Sequence, residues 1–381
     1  MPFLTPGDPA PWFQARSAGN PRYEFNTVAG RTIVLCLFGS ARQPGVVEVL
    51  KLFRARTDLF NDERAAYFGV SCDPGDEAEK RVTEHIPGYR QFWDFDFKIS
   101  SALGACAAPG EKQDGNLQYL PVTYVLDRQL RVIAVLPLNT SDAASIQAHA
   151  DRVAKLVEAL SQPAPSGLSQ PGAPVLLVPR ILEPDICREL INYYETQGGY
   201  DSGYMTSDAQ GRTVGVIDYG RKRRRDCNLD DETLRGKIRA RIIRRLIPEV
   251  HKAYQFRVTQ SERYIVACYD TGEGGYFRAH RDNTTRGTAH RRFAVTMNLN
   301  AEEYEGGDLR FPEFDDRSYR APSGGAVVFS CSLMHEALPV TRGKRYCVLP
   351  FLYDEAAAKQ RARIAEEDAA KAAGKEAAGA R

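Results

Sequence analysis

The sequence predicts two domains of different fold class, an α/β domain followed by a β-rich domain with helices packed outside it. Three observations carry this. A chain of 381 residues is too long for one ordinary core. Apolar runs of strand length alternate with helical patterns in the first half, whereas the second half opens on helices and then turns to short strands punctuated by Gly and Pro. Between the halves, SQPAPSGLSQPGA at 161–173 is rich in Pro, Ser and Gly and lacks any apolar period, which reads as a linker.

In the first domain, 1–160, the predicted strands are TIVLCLFG (32–39), AAYFGVSC (65–72), VTYVLD (122–127) and RVIAVLPL (131–138). A helix is expected over VVEVLKLFRARTDLF, so strands and helices build a central sheet with helical cover. The second domain, 174–355, starts with the helical segments PDICRELINYYETQ and DETLRGKIRARIIRRLIPEVHKAY and is strand-rich over 262–353, as in a sandwich or barrel. The remainder, 356–381, is Ala-rich and charged. It has the composition of a helix but too few large apolar residues for a core, and a solvated or partly disordered tail is expected. No internal repeat is visible.

With 51 Lys and Arg against 49 Asp and Glu, the net charge of +2 gives no global reason to expect nucleic acid or an anionic membrane as partner. The N-terminus has no basic segment followed by a long apolar run, and nothing approaches a membrane span, so a cytoplasmic protein is expected. The eight cysteines are scattered without a CxxC pair, several in apolar runs, and read as buried reduced thiols.

The chemistry concentrates in the second domain. In YIVACYDTGEGGYFRAHRDN, His280 and Asp282 are two apart, and in extended chain such side chains project to the same side, so both can reach one ion. An isolated HxD is common by chance, and a third ligand has to come from elsewhere. His335 in GGAVVFSCSLMHEALPV is the candidate. Two imidazoles and a carboxylate on one face of a metal leave adjacent positions open, which suits non-haem Fe(II) activating dioxygen.

Ten residues on, Arg345 in PVTRGKRY can grip a carboxylate with its planar guanidinium. Arg342 and Lys344 beside it read as surface residues of a basic turn, whereas Arg345 precedes the apolar run YCVLPFLY. His290, in TTRGTAHRRF, is read as part of an exposed loop and not as a ligand. The run GRKRRRDC, residues 221–225 and their flanks, reads as a solvated basic loop ahead of a site for an acidic segment or a phosphate backbone. The Gly-rich stretch 271–275 is either a mobile, ligand-approaching loop or a tight connection between strands.

Taken together with FAVTMNLN, EGGDLRFPE and PSGGAVVFS, the blocks from Tyr264 to Tyr353 resemble the prolyl-4-hydroxylase-like branch of the Fe(II)- and 2-oxoglutarate-dependent dioxygenases. That resemblance implies a double-stranded β-helix, or jelly roll, with flanking helices. It also implies Fe(II) bound by His280, Asp282 and His335, with 2-oxoglutarate anchored by Arg345 and O2 as the second co-substrate. L-ascorbate is a further cofactor that it implies. Tyr269 is either a hydrogen-bond donor to 2-oxoglutarate or a core aromatic, and Asn298 stands where some relatives carry a tyrosine facing the co-substrate. The reaction implied couples decarboxylation of 2-oxoglutarate to succinate with hydroxylation of a C–H bond in a protein, peptide or small-molecule substrate.

The first 160 residues, through GDPAPWF, IVLCLFG, GVSCDP and LPVTYVLDRQLRVIAV, resemble a peroxiredoxin of the thioredoxin-like fold. In the matching stretch GSARQPGVV, Gly39 stands for the family's proline, Gln43 for its threonine and Val46 for its peroxidatic cysteine. Valine can neither ionise nor attack a peroxide, so a non-peroxidatic domain is expected, one that acts as a homodimerisation module. Cys36 and Cys72 fall in predicted strands and read as buried thiols. Pro121 matches the family's cis-proline or is an ordinary trans proline opening a strand. Two competing functions follow: a non-catalytic binding scaffold, against which the intact His280, Asp282, His335 and Arg345 argue, and a thiol peroxidase with an accessory oxygenase domain, which Val46 disfavours.

Overall fold

A computed structural model describes residues 2–107, 118–160, 172–314 and 316–379, with side chains up to residue 369. The chain divides into two compact units, Met1–Gly167 and Leu168–Arg381. Residues 161–171 of the expected linker lie outside the described residues.

In the first unit, β1 (Thr32–Gly39), β2 (Ala65–Ser71), β3 (Tyr89–Trp93), β4 (Val122–Leu126) and β5 (Val132–Pro137) form one sheet in the order β3-β2-β1-β4-β5. β1, β2 and β3 run parallel, and β4 and β5 are antiparallel to their neighbours. Both faces of β1 are covered, which is why TIVLCLFG is apolar throughout instead of alternating. Val34, Cys36 and Phe38 pack against α1 (Pro44–Ala55) and α2 (Ala143–Leu160), while Ile33, Leu35 and Leu37 meet Phe25, Ile99 and Leu103. The peptide before Pro121 is trans; the cis bond among the described residues is Ile86–Pro87.

The second unit is built on two antiparallel sheets. The larger has the order β12-β21-β15-β20-β13-β11-β7, where β7 is Tyr200–Asp201, β11 Arg225–Asn228, β12 Gln260–Glu262, β13 Ile265–Asp270, β15 Phe293–Asn298, β20 Lys344–Val348 and β21 Phe351–Tyr353. β18 (Ala326–Ser330) pairs with β15, and β6 (Leu176–Val178) with β18. The smaller sheet runs β10-β14-β19-β16-β17, where β10 is Lys222–Arg223, β14 Tyr276–His280, β16 Leu309–Arg310, β17 Ser318–Tyr319 and β19 His335–Ala337. β8 (Tyr204–Ser207) and β9 (Thr213–Val216) make a separate hairpin.

Side-chain alternation fixes what each face of the larger sheet does. Val266, Cys268, Val295, Met297, Tyr346 and Val348 point to the helices, joining Ile186 and Leu190 of α3 (Pro184–Gln197) and Ile238 of α4 (Glu232–Arg241) in one core. Ile265, Ala267, Tyr269 and Cys347 point the other way, into a core shared with Phe277 and Ala337 of the smaller sheet. Two facing antiparallel sheets with helices on one outer side form a jelly roll. α4 continues through a single π turn, Ile242–Leu246, into α5 (Ile247–Tyr254). Pro248 explains the turn: it has no N–H, and its ring crowds the carbonyl four residues back, which a widened turn relieves.

Two expectations need correction. The run 221–225 is not a loop but parts of β10 and β11, with Lys222 and Arg224 buried between exposed Arg223 and Arg225. His290 is buried, not exposed, with Nε2 3.1 Å from Glu262 Oε2 and its ring edge-on to Tyr353. The tail is α6 (Glu355–Gly379), helical as its composition allows and mostly exposed over its described side chains, although Ala357 is fully buried and Arg286 pairs with Glu367 and Asp368 further along. The glycine-rich stretch 271–275 is a tight connection, since Thr271 bonds Gly343 through both its N–H and its hydroxyl and a Cβ on Gly275 would strike the backbone of Tyr269.

Candidate metal centre and co-substrate pocket

His280 closes β14 and His335 opens β19, and the two are direct cross-strand partners. Asp282 follows β14 on chain held by a bond from its N–H to the Cys331 carbonyl, 3.1 Å. The carboxylate thereby lies between the rings: Asp282 Oδ1 is 3.5 Å from His280 Nε2 and Oδ2 is 3.3 Å from His335 Nε2. The ligand-capable atoms of all three lie within 4.8 Å of one another.

Each imidazole is set by its other nitrogen. His280 Nδ1 lies 2.8 Å from the Arg278 carbonyl, and His335 Nδ1 lies 3.1 Å from that of Leu333. A carbonyl only accepts, so both Nδ1 atoms carry the proton and both Nε2 lone pairs face the centre. Burial pushes His335 down to about 4, against the opposing pull of Asp282, and so holds it neutral. Burial would raise the Asp282 carboxyl, but the charge of Arg291 opposes it and the carboxyl lies below its usual range. Two imidazoles whose Nδ1 atoms are fixed on carbonyls and one carboxylate form a donor set that fits a divalent transition metal.

An inner pocket runs from this cluster between the sheets, lined by Tyr269, Thr296, Leu309, Phe329, Arg345 and Leu349 among others. Arg345 faces inward by the same alternation that sends Tyr346 to the helices. It is 2 % exposed, one nitrogen donates to the Gly307 carbonyl, its Nε has no hydrogen-bond partner, and no carboxylate pairs with it among the described residues. Such a desolvated cation is costly unless an anion arrives to meet it, which fits the distal carboxylate of an oxo-acid. Tyr269 is the cross-strand partner of Arg345, with the guanidinium 5.0 Å above its ring. Asn298 does not line the pocket; its amide is committed to the Ala321 carbonyl at 2.7 Å, and Thr296 stands nearer the site.

Sequence reasoning missed the polar wall of this pocket. Arg224 makes a bidentate pair with Asp226, at 2.7 and 2.8 Å, and reaches the Tyr269 hydroxyl at 3.4 Å. Arg263 adds a contact to Asp226 at 3.0 Å. The available signal was the spacing of Lys222, Arg224 and Asp226, which is the strand period written in charged residues.

In the first unit, Val46 is 1 % exposed in the first turn of α1 and packs into apolar core. Gly39 has φ +76°, a value closed to proline, and a Cβ there would press on the Tyr119 ring. Burial pushes the Cys36 thiol up and takes Cys72 to about 12. All eight cysteines are buried and unpaired. No described helix is long and apolar enough to cross a membrane.

Residues 264–353 match the 2OG-Fe(II) oxygenase superfamily, and residues 6–135 match the AhpC/TSA family. Over 94 residues the chain is 28 % identical to a PKHD-type hydroxylase of Synechococcus sp. (strain JA-2-3B'a(2-13)), covering 23 % of this chain and 41 % of that one. The chain thus spans about four-tenths of the length of that curated relative. Among solved structures it is similar to a prolyl hydroxylase in complex with a hypoxia inducible factor oxygen degradation domain peptide fragment from Trichoplax adhaerens. That match has a TM-score of 0.40 and 19 % identity, and covers 49 % of this chain and 86 % of the other. It is also similar to the peroxidoxin BcpB of Mycobacterium tuberculosis, with a TM-score of 0.35 and 22 % identity over 42 % of this chain and 99 % of the other.

Proposed function

We propose that the second unit, a 2OG-Fe(II) oxygenase by the match over 264–353, is a hydroxylase that uses Fe(II), 2-oxoglutarate and O2. The observation that carries the reading is the pairing of a His280, Asp282 and His335 cluster with a buried, anion-less Arg345 in one pocket. When bound, the iron supplies the oxidising chemistry: one O2 and one 2-oxoglutarate are consumed, succinate and CO2 leave, and a substrate C–H becomes C–OH.

The protein's own residues do the rest. His280, Asp282 and His335 hold the metal from one side, and the carbonyls of Arg278 and Leu333 keep both rings in the donating tautomer. Arg345 fixes the far carboxylate of 2-oxoglutarate, with Tyr269 and Thr296 beside it. Leu309, Phe329 and Leu349 give the pocket apolar walls, which strengthen charge pairing inside it. The first unit contributes no peroxide chemistry in this reading.

The test is succinate formation by the full chain supplied with Fe(II), 2-oxoglutarate and O2. Asp282→Ala should abolish it and weaken Fe(II) binding while leaving the melting transition in place, because a ligand is lost and little core volume. Succinate formation that survives this substitution refutes the assignment.

A further inference from the structure

Resting on the hydroxylase reading above, we propose that the substrate presents an oxyanion, a carboxylate or a phosphate, to Arg221 and Lys222 in the wall of the outer cleft. This cleft, of about 920 Å³, opens over His280 and Asp282 and is walled by β8, the start of β10 and the chain around Arg263 and Arg291. Lys222 Nζ sits 4.9 Å over the Phe277 ring, which stacks on the His280 ring at 3.5 Å, so the amine is one ring away from a metal ligand.

Neither side chain has an anionic partner among the described residues. Lys222 is 4 % exposed and donates to Ser202 Oγ at 2.7 Å and the Gly203 carbonyl at 2.6 Å, both neutral. Arg221 is half-buried, its guanidinium 4.7 Å from the Tyr204 ring and its Nε buried without a hydrogen bond. The carboxylates nearby are already taken. Asp226 carries Arg224 and Arg263, and Glu262 carries His290, Arg291 and Arg361. Asp282 belongs to the metal cluster.

A neutral substrate would leave the Arg221 guanidinium desolvated and unmatched, whereas an oxyanion gives it a charge-assisted bond and favours a protonated Lys222 beside it. Burial and the charge of Arg224 push Lys222 down to about 5, a direction that an arriving anion reverses. Arg221, with its guanidinium beside the Tyr204 ring, offers the fork geometry, and Lys222, the next residue, offers an amine that an anion can hold protonated.

The full chain, with Fe(II) and 2-oxoglutarate and without oxygen, is titrated with acetylated, amidated dipeptides. These are Pro-Glu, Pro-phosphoserine and Pro-Gln, together with the same pairs in reverse order. The glutamate or phosphoserine form should bind at least about tenfold more tightly than the glutamine form, a preference that added salt erodes. Which acidic form wins identifies the oxyanion. In Arg221→Gln the preference should fall to near equality; Lys222→Gln is the second variant, and because Lys222 is buried the half-exposed Arg221 decides if that protein fails to fold. Equal binding of charged and neutral forms, no binding of either, or a preference that survives Arg221→Gln overturns the proposal. So does loss of 2-oxoglutarate affinity in Arg221→Gln, which would give these cations to the co-substrate. A titration of the wild-type protein with 2-oxoglutarate alone reads the underlying function separately: failure there sinks the hydroxylase reading itself.

Discussion

Replacing Arg345 with alanine tests the co-substrate pocket most directly. The guanidinium is 2 % exposed and unmatched by any carboxylate among the described residues, so it has two or more N–H groups to give an incoming carboxylate. Each charge-assisted bond is worth about 1.5–3 kcal/mol, so two lost bonds cost roughly 3–6 kcal/mol, or two to four orders of magnitude in affinity. Lysine at this position should restore part of that, keeping the charge and losing the fork. The assay is anaerobic calorimetric titration of the Fe(II)-loaded full chain with 2-oxoglutarate. A second readout separates binding from folding: Arg345→Met should melt no lower than wild type without co-substrate, since it removes an uncompensated buried charge, yet gain no stability from 2-oxoglutarate. Near-native affinity in Arg345→Ala would refute the reasoning and hand the carboxylate to Arg224 or Arg263, which line the same pocket. Arg342 and Lys344 are poorer alternatives, being exposed and paired with Glu305 and Glu195.

Tyr269→Phe removes one hydroxyl from the pocket: if that group bonds the co-substrate, 2-oxoglutarate affinity should fall by up to about tenfold, and an unchanged affinity makes Tyr269 a core aromatic. Asp282→Ala should end succinate production, as argued above, and restoring a carboxylate of different length with Asp282→Glu should recover only part of it. In the first unit, burial and the nearby Arg152 take His149 down to about 4 from 6.5. The unfolded chain then takes up the proton first as pH falls, so stability is fully present above about 6.5 and drains away towards about 4, by up to roughly 3 kcal/mol. His149→Gln should flatten thermal melting across that window, and an unaltered pH dependence refutes the assignment.

What could be read from the sequence follows the physics of each feature. Strands and helices with apolar periods, such as Thr32–Gly39 and Pro184–Gln197, were legible because burial writes the same pattern into any sequence. The candidate cluster was legible because same-side spacing placed His280 with Asp282, and Arg345 stood out as a charge beside apolar strand. Charge that is buried against other charge was not legible. Lys222 looks solvated until Ser202 is brought to it, Arg224 reads as solvated although its partner Asp226 lies two residues on, and His290 looks exposed until Glu262, distant in sequence, supplies its partner. The ion pairs that tie α6 to other elements were hidden for a similar reason, since Glu262 and Arg286 are distant in sequence from Arg361 and Asp368.

For the first unit the question is whether a sulfur in place of Val46 would be enough for peroxide chemistry. A peroxidatic thiol must be a thiolate that peroxide can reach. Val46 is 1 % exposed and shares its core cluster with Val49, Leu50 and Phe53, so a sulfur placed there would be desolvated, as Cys36 and Cys72 already are. The N-terminus of α1 pulls the other way, by about 0.3–1 kcal/mol for a charge in the first turn, which is less than one pKa unit. Burial, with the Asp94 charge adding to it, takes Cys72 from 9.0 to about 12, so burial outweighs the helix terminus. The loop cannot easily adapt either, because Gly39 at φ +76° occupies the place where the family's proline would shape the approach. Wild-type protein should therefore show no thiol-dependent peroxide turnover, and Val46→Cys, a substitution of similar volume, should fold yet leave turnover at background. Alkylation of the new thiol by iodoacetamide as a function of pH measures its ionisation directly, and it should lie above that of a free cysteine. Rapid peroxide reduction by Val46→Cys, with a thiol titrating near neutrality, would show that the site was lost by a single substitution and that the surrounding fold still supports the reaction.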